Sequence, residues 1–204
     1  MNTAIFYDTE TTGLPDWGQP SEAEQQPHIV QLGTHLVDMD SRKVLQSLDV
    51  IVKPDGWVIP EDVAEVHGIT TERATAVGIP EALAVQLFLA LWQGRRRIGH
   101  NESFDARIIR IATMRFADEE TQDLWKEAAG GSACTARLTT KQVAAPPTPK
   151  MIAAGRRHHK TPNLSEAYRH FYGKDFDGAH SAIADVNACM AVYWASLDQS
   201  AVAF

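Results

Sequence analysis

Three short segments of the 204-residue chain each carry a carboxylate where a strand should end or a helix should begin. In the first, Phe6-Tyr7-Asp8-Thr9-Glu10-Thr11-Thr12-Gly13, strand alternation points Asp8 and Glu10 the same way. Carboxylates held that close repel each other unless a cation sits between them. The plain alternative is an acidic strand end running into a turn. In the second, Gly99-His100-Asn101-Glu102-Ser103-Phe104-Asp105, a strand gives way to a helix that Asn101 or Ser103 can cap. Asp105 then falls in the first turn, where the helix dipole favours an acid without any function. In the third, Gly178-Ala179-His180-Ser181-Ala182-Ile183-Ala184-Asp185, five helical residues would turn through about 500° and separate the two polar groups. His180 and Asp185 face one site only if His180 lies on the loop and Asp185 on the helix behind it. Gly178 makes such a loop easy. The alternative is a surface histidine preceding an amphipathic helix.

The elements that must position these residues follow from periodicity and breakers. Residues 4–8 form a short apolar strand followed by a Thr/Gly/Pro turn, and residues 14–27 are a polar loop. Residues 28–37 and 44–52 are strands joined by a hairpin turn, so the first three strands are consecutive and antiparallel. Residues 61–66 are helical, Gly68 ends that helix, and Thr70 caps the next. A helix over residues 81–92 starts at Pro80, with Leu83, Leu87 and Leu91 on one face. Residues 97–100 are a buried strand, and residues 103–116 a helix with Phe104, Ile108 and Ile111 facing inward. A strand at 131–135 leads into a short helix at 137–143, and residues 144–161 are a Pro-rich basic excursion. Asn163 and Glu166 make a capping box for a helix reaching Tyr172, and the last helix runs from Ala182 to Leu197. The expected architecture is one α/β domain over 1–204, a mixed sheet flanked by helices.

Composition narrows the function. Nineteen basic against 26 acidic residues give a net charge of −7, the wrong sign for gripping phosphates by bulk electrostatics. A nucleic-acid substrate then requires positive charge supplied locally or by metal ions. No apolar stretch is long enough to span a bilayer, and the N-terminus lacks the basic and apolar regions of a signal peptide. Cys134 and Cys189 fit no metal-ligand spacing and no disulfide framework. A cytoplasmic, membrane-free setting is expected.

The order Asp-x-Glu, His-Asn-x-x-Phe-Asp, His-x-x-x-x-Asp resembles the DEDDh 3′–5′ exonucleases, the superfamily of proofreading epsilon subunits, oligoribonuclease and ribonuclease T. Val66-His67-Gly68-Ile69-Thr70, Cys134-Thr135-Ala136-Arg137-Leu138 and Leu164-Ser165-Glu166-Ala167 are further matches, and the resemblance runs from residue 4 to about 195. It implies a ribonuclease-H-like fold with a mixed five-stranded sheet whose first three strands form a meander. It also implies two Mg²⁺ or Mn²⁺ ions, roughly 3.5–4 Å apart, that activate water and stabilise the leaving 3′-oxygen. By the same resemblance Asp8 bridges the ions, Glu10 and Asp185 complete the water-binding site, Asp105 supports the other, and His180 is the general base. An imidazole of ordinary pKa near about 6.5 suits that role. The product is then a nucleoside 5′-monophosphate.

Other candidates carry two readings each. Thr11, Thr12, Gly13 and Leu14 can hold or wedge the terminal nucleotide, or form an ordinary turn with a core-packed leucine. Phe104 can stack on a base or fill the core, and His67 can meet the substrate end or close a helix. Asn101 joins the substrate candidates. Arg156, Arg157, His158, His159 and Lys160 are the one dense basic cluster, either a solvated loop or a phosphate contact. Trp17, Trp57 and Trp125 can stack on bases, though nothing in the sequence sets them on one face. The expected substrate is single-stranded nucleic acid with a free 3′ end, DNA before RNA. The enzyme is expected to be freestanding, with a polymerase or repair protein as a conceivable partner; a catalytically silent scaffold and a phosphatase are the rival classes. The oligomeric state is not encoded legibly.

Overall fold

The computed structural model describes residues 1–127 and 131–202. Strands β1 (Thr3–Thr11), β2 (Ile29–Asp38) and β3 (Lys43–Lys53) form the antiparallel meander. Helices α1 (Glu61–His67) and α2 (Thr71–Val77) follow, then a two-residue strand β4 (Ile79–Pro80) and helix α3 (Glu81–Trp92). Strand β5 (Arg96–Gly99) runs parallel to β1 and leads into α4 (Glu102–Phe116) and α5 (Glu119–Glu127). Strand β6 (Ser132–Cys134), parallel to β5, precedes α6 (Thr135–Val143), α7 (Pro149–Ala153), α8 (Leu164–Tyr172) and α9 (Ala182–Val202). The sheet order is β4-β3-β2-β1-β5-β6, the expected five strands with β4 added at one edge.

Alternation along β1 sorts the two cores. Ile5 and Tyr7 pack with Phe88 and Trp92 of α3, Ile108 and Ile111 of α4 and Trp125 of α5. Ala4 and Phe6 pack on the other face with Val186, Cys189 and Tyr193 of α9. The sheet is therefore covered on both sides, and the even-numbered side chains of β1 look toward α9.

Local chemistry explains the helix limits. Gly68 closes α1 in the left-handed conformation that glycine adopts without a Cβ penalty. Thr70 caps α2 by accepting from Arg73 N, and Asn163 with Glu166 forms the full capping box of α8.

Some expectations are completed or corrected. The leucine face of α3 points outward, Leu83 and Leu87 being 42% and 39% exposed, and the helix buries Ala84, Val85, Phe88 and Trp92. Asn101 sits at the start of α4 in a left-handed conformation, and its side chain makes no capping hydrogen bond. Helix α5 was not legible because its one buried residue is Trp125 among charged neighbours. The 144–161 excursion contains α7, capped by Thr148 Oγ1 accepting from Met151 N. Among the described residues, no helix is long and apolar enough to cross a membrane.

Candidate active site

Strand β1 delivers Asp8 and Glu10 on its α9-facing side. Opposite them on β2, Asp8 pairs with Gly33 and Glu10 with Gln31. At Gly33 the start of α9 comes against the strand. A Cβ there would lie 2.6 Å from the carbonyl carbon of Ala182 and 2.7 Å from Ile183 N. Gln31 fastens the same helix end, its Oε1 accepting from Ala182 N at 3.1 Å while its Nε2 donates to Asp49 Oδ1 at 2.7 Å. Thus the start of α9, and Asp185 one turn in, is fixed against the carboxylate strand.

His180 lies on the turn before α9, at φ 67°, with Gly178 at φ 77° behind it. Ser181 N donates to Gly178 O and Asp185 N to Ser181 O, so the loop closes directly into the helix. This is the arrangement that places an imidazole on the loop and a carboxylate on the helix at one site. Ligand atoms of Glu10, His180 and Asp185 all lie within 4.8 Å of one another.

Asp105 arrives from the opposite face of the sheet on the first turn of α4. Its Oδ1 accepts from Thr9 N at 2.9 Å and from Thr9 Oγ1 at 2.8 Å. The odd-numbered Thr9 thus fixes the fourth acid to the strand that bears the first two. Beneath it, Tyr7 Oη donates to Glu102 at 3.0 Å, and Arg97 lies 3.3 Å from the same carboxylate. Sequence patterns did not reveal Thr9, Gln31, Gly33 or Glu102. Each acts through tertiary contacts, and only Gly33, a glycine inside a strand, gave a local sign of close approach.

The electrostatics are those of an acid cluster short of positive charge. Burial, then the charges of Asp105, Asp185 and Glu10, hold the Asp8 carboxyl well above its ordinary range. Burial and Asp185 push Glu10 to about 7. Burial pushes Asp105 to about 8 against the two Thr9 donors, and Asp185 to about 6 against neighbouring His180. Asp185 Oδ1 is buried with no hydrogen-bond partner. A buried carboxylate oxygen without a donor, among three further acids, fits a divalent-cation ligand set of hard oxygens.

The remaining candidates divide. Thr11 Oγ1 donates to Gly13 O, and Thr12 N donates to His28 O, so the turn is well tied. Leu14 is 84% exposed, which excludes the core-packed reading. Phe104 is partly buried against the α3–α4 core. His67 Nδ1 accepts from Ile69 N at the end of α1, a helix-closing role, and the buried ring also faces the Thr11 backbone. Burial, then the charge of nearby His180, lowers the His67 pKa. Asn101, Arg156 and Arg157 are exposed. Lys160 Nζ is committed to both oxygens of Glu166, at 2.6 and 2.5 Å. Of the tryptophans, Trp125 is core, Trp57 stacks on His28 at 4.6 Å, and Trp17 is 63% exposed.

The fold has counterparts among known proteins. E. coli exonuclease I in complex with a dT13 oligonucleotide superposes with a TM-score of 0.73 and 20% identity, covering 98% of this chain and 41% of that one. The zinc-bound form of the E. coli exonuclease I–ssDNA complex gives 0.70 and 18%, covering 98% and 41%. This chain spans about two fifths of the length of those exonuclease chains. No curated protein sequence matches. The family model RNase_T, described as exonuclease, matches residues 5–193, which include all five DEDDh positions, and the chain accordingly belongs to that exonuclease family.

Proposed function

We propose that this exonuclease removes nucleotides from the 3′ ends of single-stranded DNA, releasing nucleoside 5′-monophosphates, with divalent ions held by Asp8, Glu10, Asp105 and Asp185. The observation that carries the reading is the convergence of Glu10, His180 and Asp185 on one site, with Asp8 close enough to feel the charges of Glu10 and Asp185 and with Asp185 Oδ1 buried without a donor. Bound Mg²⁺ or Mn²⁺ supplies charge neutralisation for the phosphate and lowers the pKa of water.

The chain's own residues do the rest. His180, on a loop beside Glu10 and Asp185, takes the proton of the attacking water. Thr9 holds Asp105 in place through two hydrogen bonds. Thr11–Gly13 form a tied turn against which the terminal nucleotide rests, and exposed Leu14 wedges between its base and the next. His67, which faces the Thr11 backbone and lies close enough to His180 to feel its charge, meets the substrate end. Asn101 and Phe104 flank the strand at the start of α4, and exposed Arg156 and Arg157 are available to its phosphates. DNA is favoured because the same fold binds dT13 and dA16 oligonucleotides in E. coli exonuclease I.

The test is digestion of end-labelled single-stranded, duplex, DNA and RNA oligonucleotides with Mg²⁺, products resolved by length. A 5′-labelled single strand should give a descending ladder, and a 3′-phosphate should block it. Early release of a labelled 5′ mononucleotide, or cutting of a closed circle, would overturn the polarity. Faster digestion of RNA would move the substrate to RNA 3′ ends.

A further inference from the structure

Outside the carboxylate site, a cavity of about 340 Å³ opens between α4, α5 and the 14–27 loop, its lining including Trp17, Arg97, Arg107, Arg110 and Lys126 together with one acid, Glu102. In a chain of net charge −7 this concentration of cations is unusual. Two of them are balanced: Arg97, only 3% exposed, by Glu102 and Lys126 by Asp123. The other two are not. Arg107 donates to neutral acceptors, Ser21 Oγ and Gln19 O, and the Arg110 side chain has no hydrogen-bond or ion-pair partner among the described residues. The cavity runs along the first half of α4, from Glu102 to Arg110.

Trp17 gives the cavity an aromatic wall that is held still. Arg107 lies over its ring, 5.9 Å from the centroid, and ties down the surrounding loop. Buried Gln26 fastens the loop from inside, its Oε1 accepting from Asp16 N and its Nε2 donating to Asp16 O and Pro20 O. An exposed indole fixed beside uncompensated guanidinium groups is the combination that stacks a base and pairs its phosphate.

The cavity is next to the carboxylate site. The first turn of α4 presents Ser103 to the cavity and Asp105 to the acids, about one helix diameter of ~10 Å apart. Trp17 follows exposed Leu14 by three residues on one loop. The geometry points to a second nucleic-acid subsite, holding the backbone of the strand a few nucleotides upstream of the cleaved bond and stacking a base on Trp17. It rests on the exonuclease reading and adds the path of the strand.

Binding in EDTA, where cleavage is off, separates the two claims. Anisotropy of a labelled oligothymidylate should show Arg107→Gln with Arg110→Gln weakening affinity about tenfold. The log–log salt slope should become shallower by about 0.7 for each phosphate that the protein no longer neutralises. Trp17→Ala should weaken binding roughly 5- to 100-fold. With Mg²⁺, hydrolysis of a dinucleotide, too short to reach the cavity, should be unchanged in both variants. Lys43→Ala with Lys174→Ala, which removes equal charge elsewhere on the surface, should alter affinity far less. Equal loss in that control pair, unchanged affinity and slope, or equal loss on the dinucleotide overturns the subsite. A wild type that cleaves nothing yet loses strand binding on these substitutions would refute the nuclease reading and leave the subsite standing.

Discussion

Gln31 Oε1 accepts from the backbone N–H of Ala182 at 3.1 Å, so a side chain from the second strand caps the helix that carries Asp185. Its amide nitrogen is spent on Asp49, which fixes which end of the amide faces the helix. Gln31→Met should leave a folded protein with kcat lowered about 10- to 100-fold, the cost of a small misplacement of the acid. Gln31→Glu alone faces Asp49 with a like charge. Adding Asp49→Asn restores a donor–acceptor pair and should recover most of kcat. Failure of the double variant to recover activity would remove the relay from the mechanism.

Gly33 should tolerate no side chain. Its missing Cβ lets Ala182 and Ile183 approach at distances any methyl group would violate. Gly33→Ala should cost about 1–3 kcal/mol, a melting-temperature drop on the order of 3–10 °C, with activity lost more steeply than stability. Calorimetry with single-turnover rates checks both, and an unchanged variant would mean α9 sits further from β2.

Metal-free protein should lose stability as pH rises. With Asp105 raised to about 8 and Glu10 to about 7, the folded state holds protons that the unfolded chain has released. Stability then falls with rising pH until those groups have ionised. His67 and His100, lowered by burial, act oppositely below the ordinary histidine pKa of about 6.5. The window to read is therefore about 6.5 to 8. In EDTA the melting temperature should drop across it, Asp8→Asn should flatten the drop, and Mg²⁺ should reverse it. A melting temperature that rises through this window would contradict the acid cluster.

Asp8→Ala and Asp185→Ala should each abolish nuclease activity while melting at least as high as metal-free wild type. Each removes a buried acid from a set that repels itself. Retained activity in either variant, in a preparation freed of contaminating nuclease, would break the ligand assignment.

His180→Ala should lose about 10²–10⁴ in rate while metal affinity and strand binding stay near wild type. The pH–rate profile of the variant should also differ in shape from that of wild type. An unchanged rate and pH profile would leave His180 as a loop residue.

The sequence by itself determined the meander and the α/β character, because both rest on local rules, and its motif order pointed to the family and to the five candidate site positions. Strand alternation aimed Asp8 and Glu10 together, a glycine made room for the loop of His180, and capping residues marked where α2 and α8 begin. It placed α3 and the shared leucine face, but not that this face lies outward while the core takes Ala84, Val85 and Phe88. It also missed α5, whose burial hangs on Trp125 alone. Only the tertiary structure decided how the acids meet. Thr9 reaches Asp105 across 96 residues and Gln31 reaches Ala182 across 151, contacts that no local pattern encodes. The same holds for Trp17 and Arg107, 90 positions apart in sequence and brought together because α4 packs beside the loop leaving β1. Side-chain type and spacing state what a residue can do; whether it does so depends on neighbours that the chain supplies only after folding.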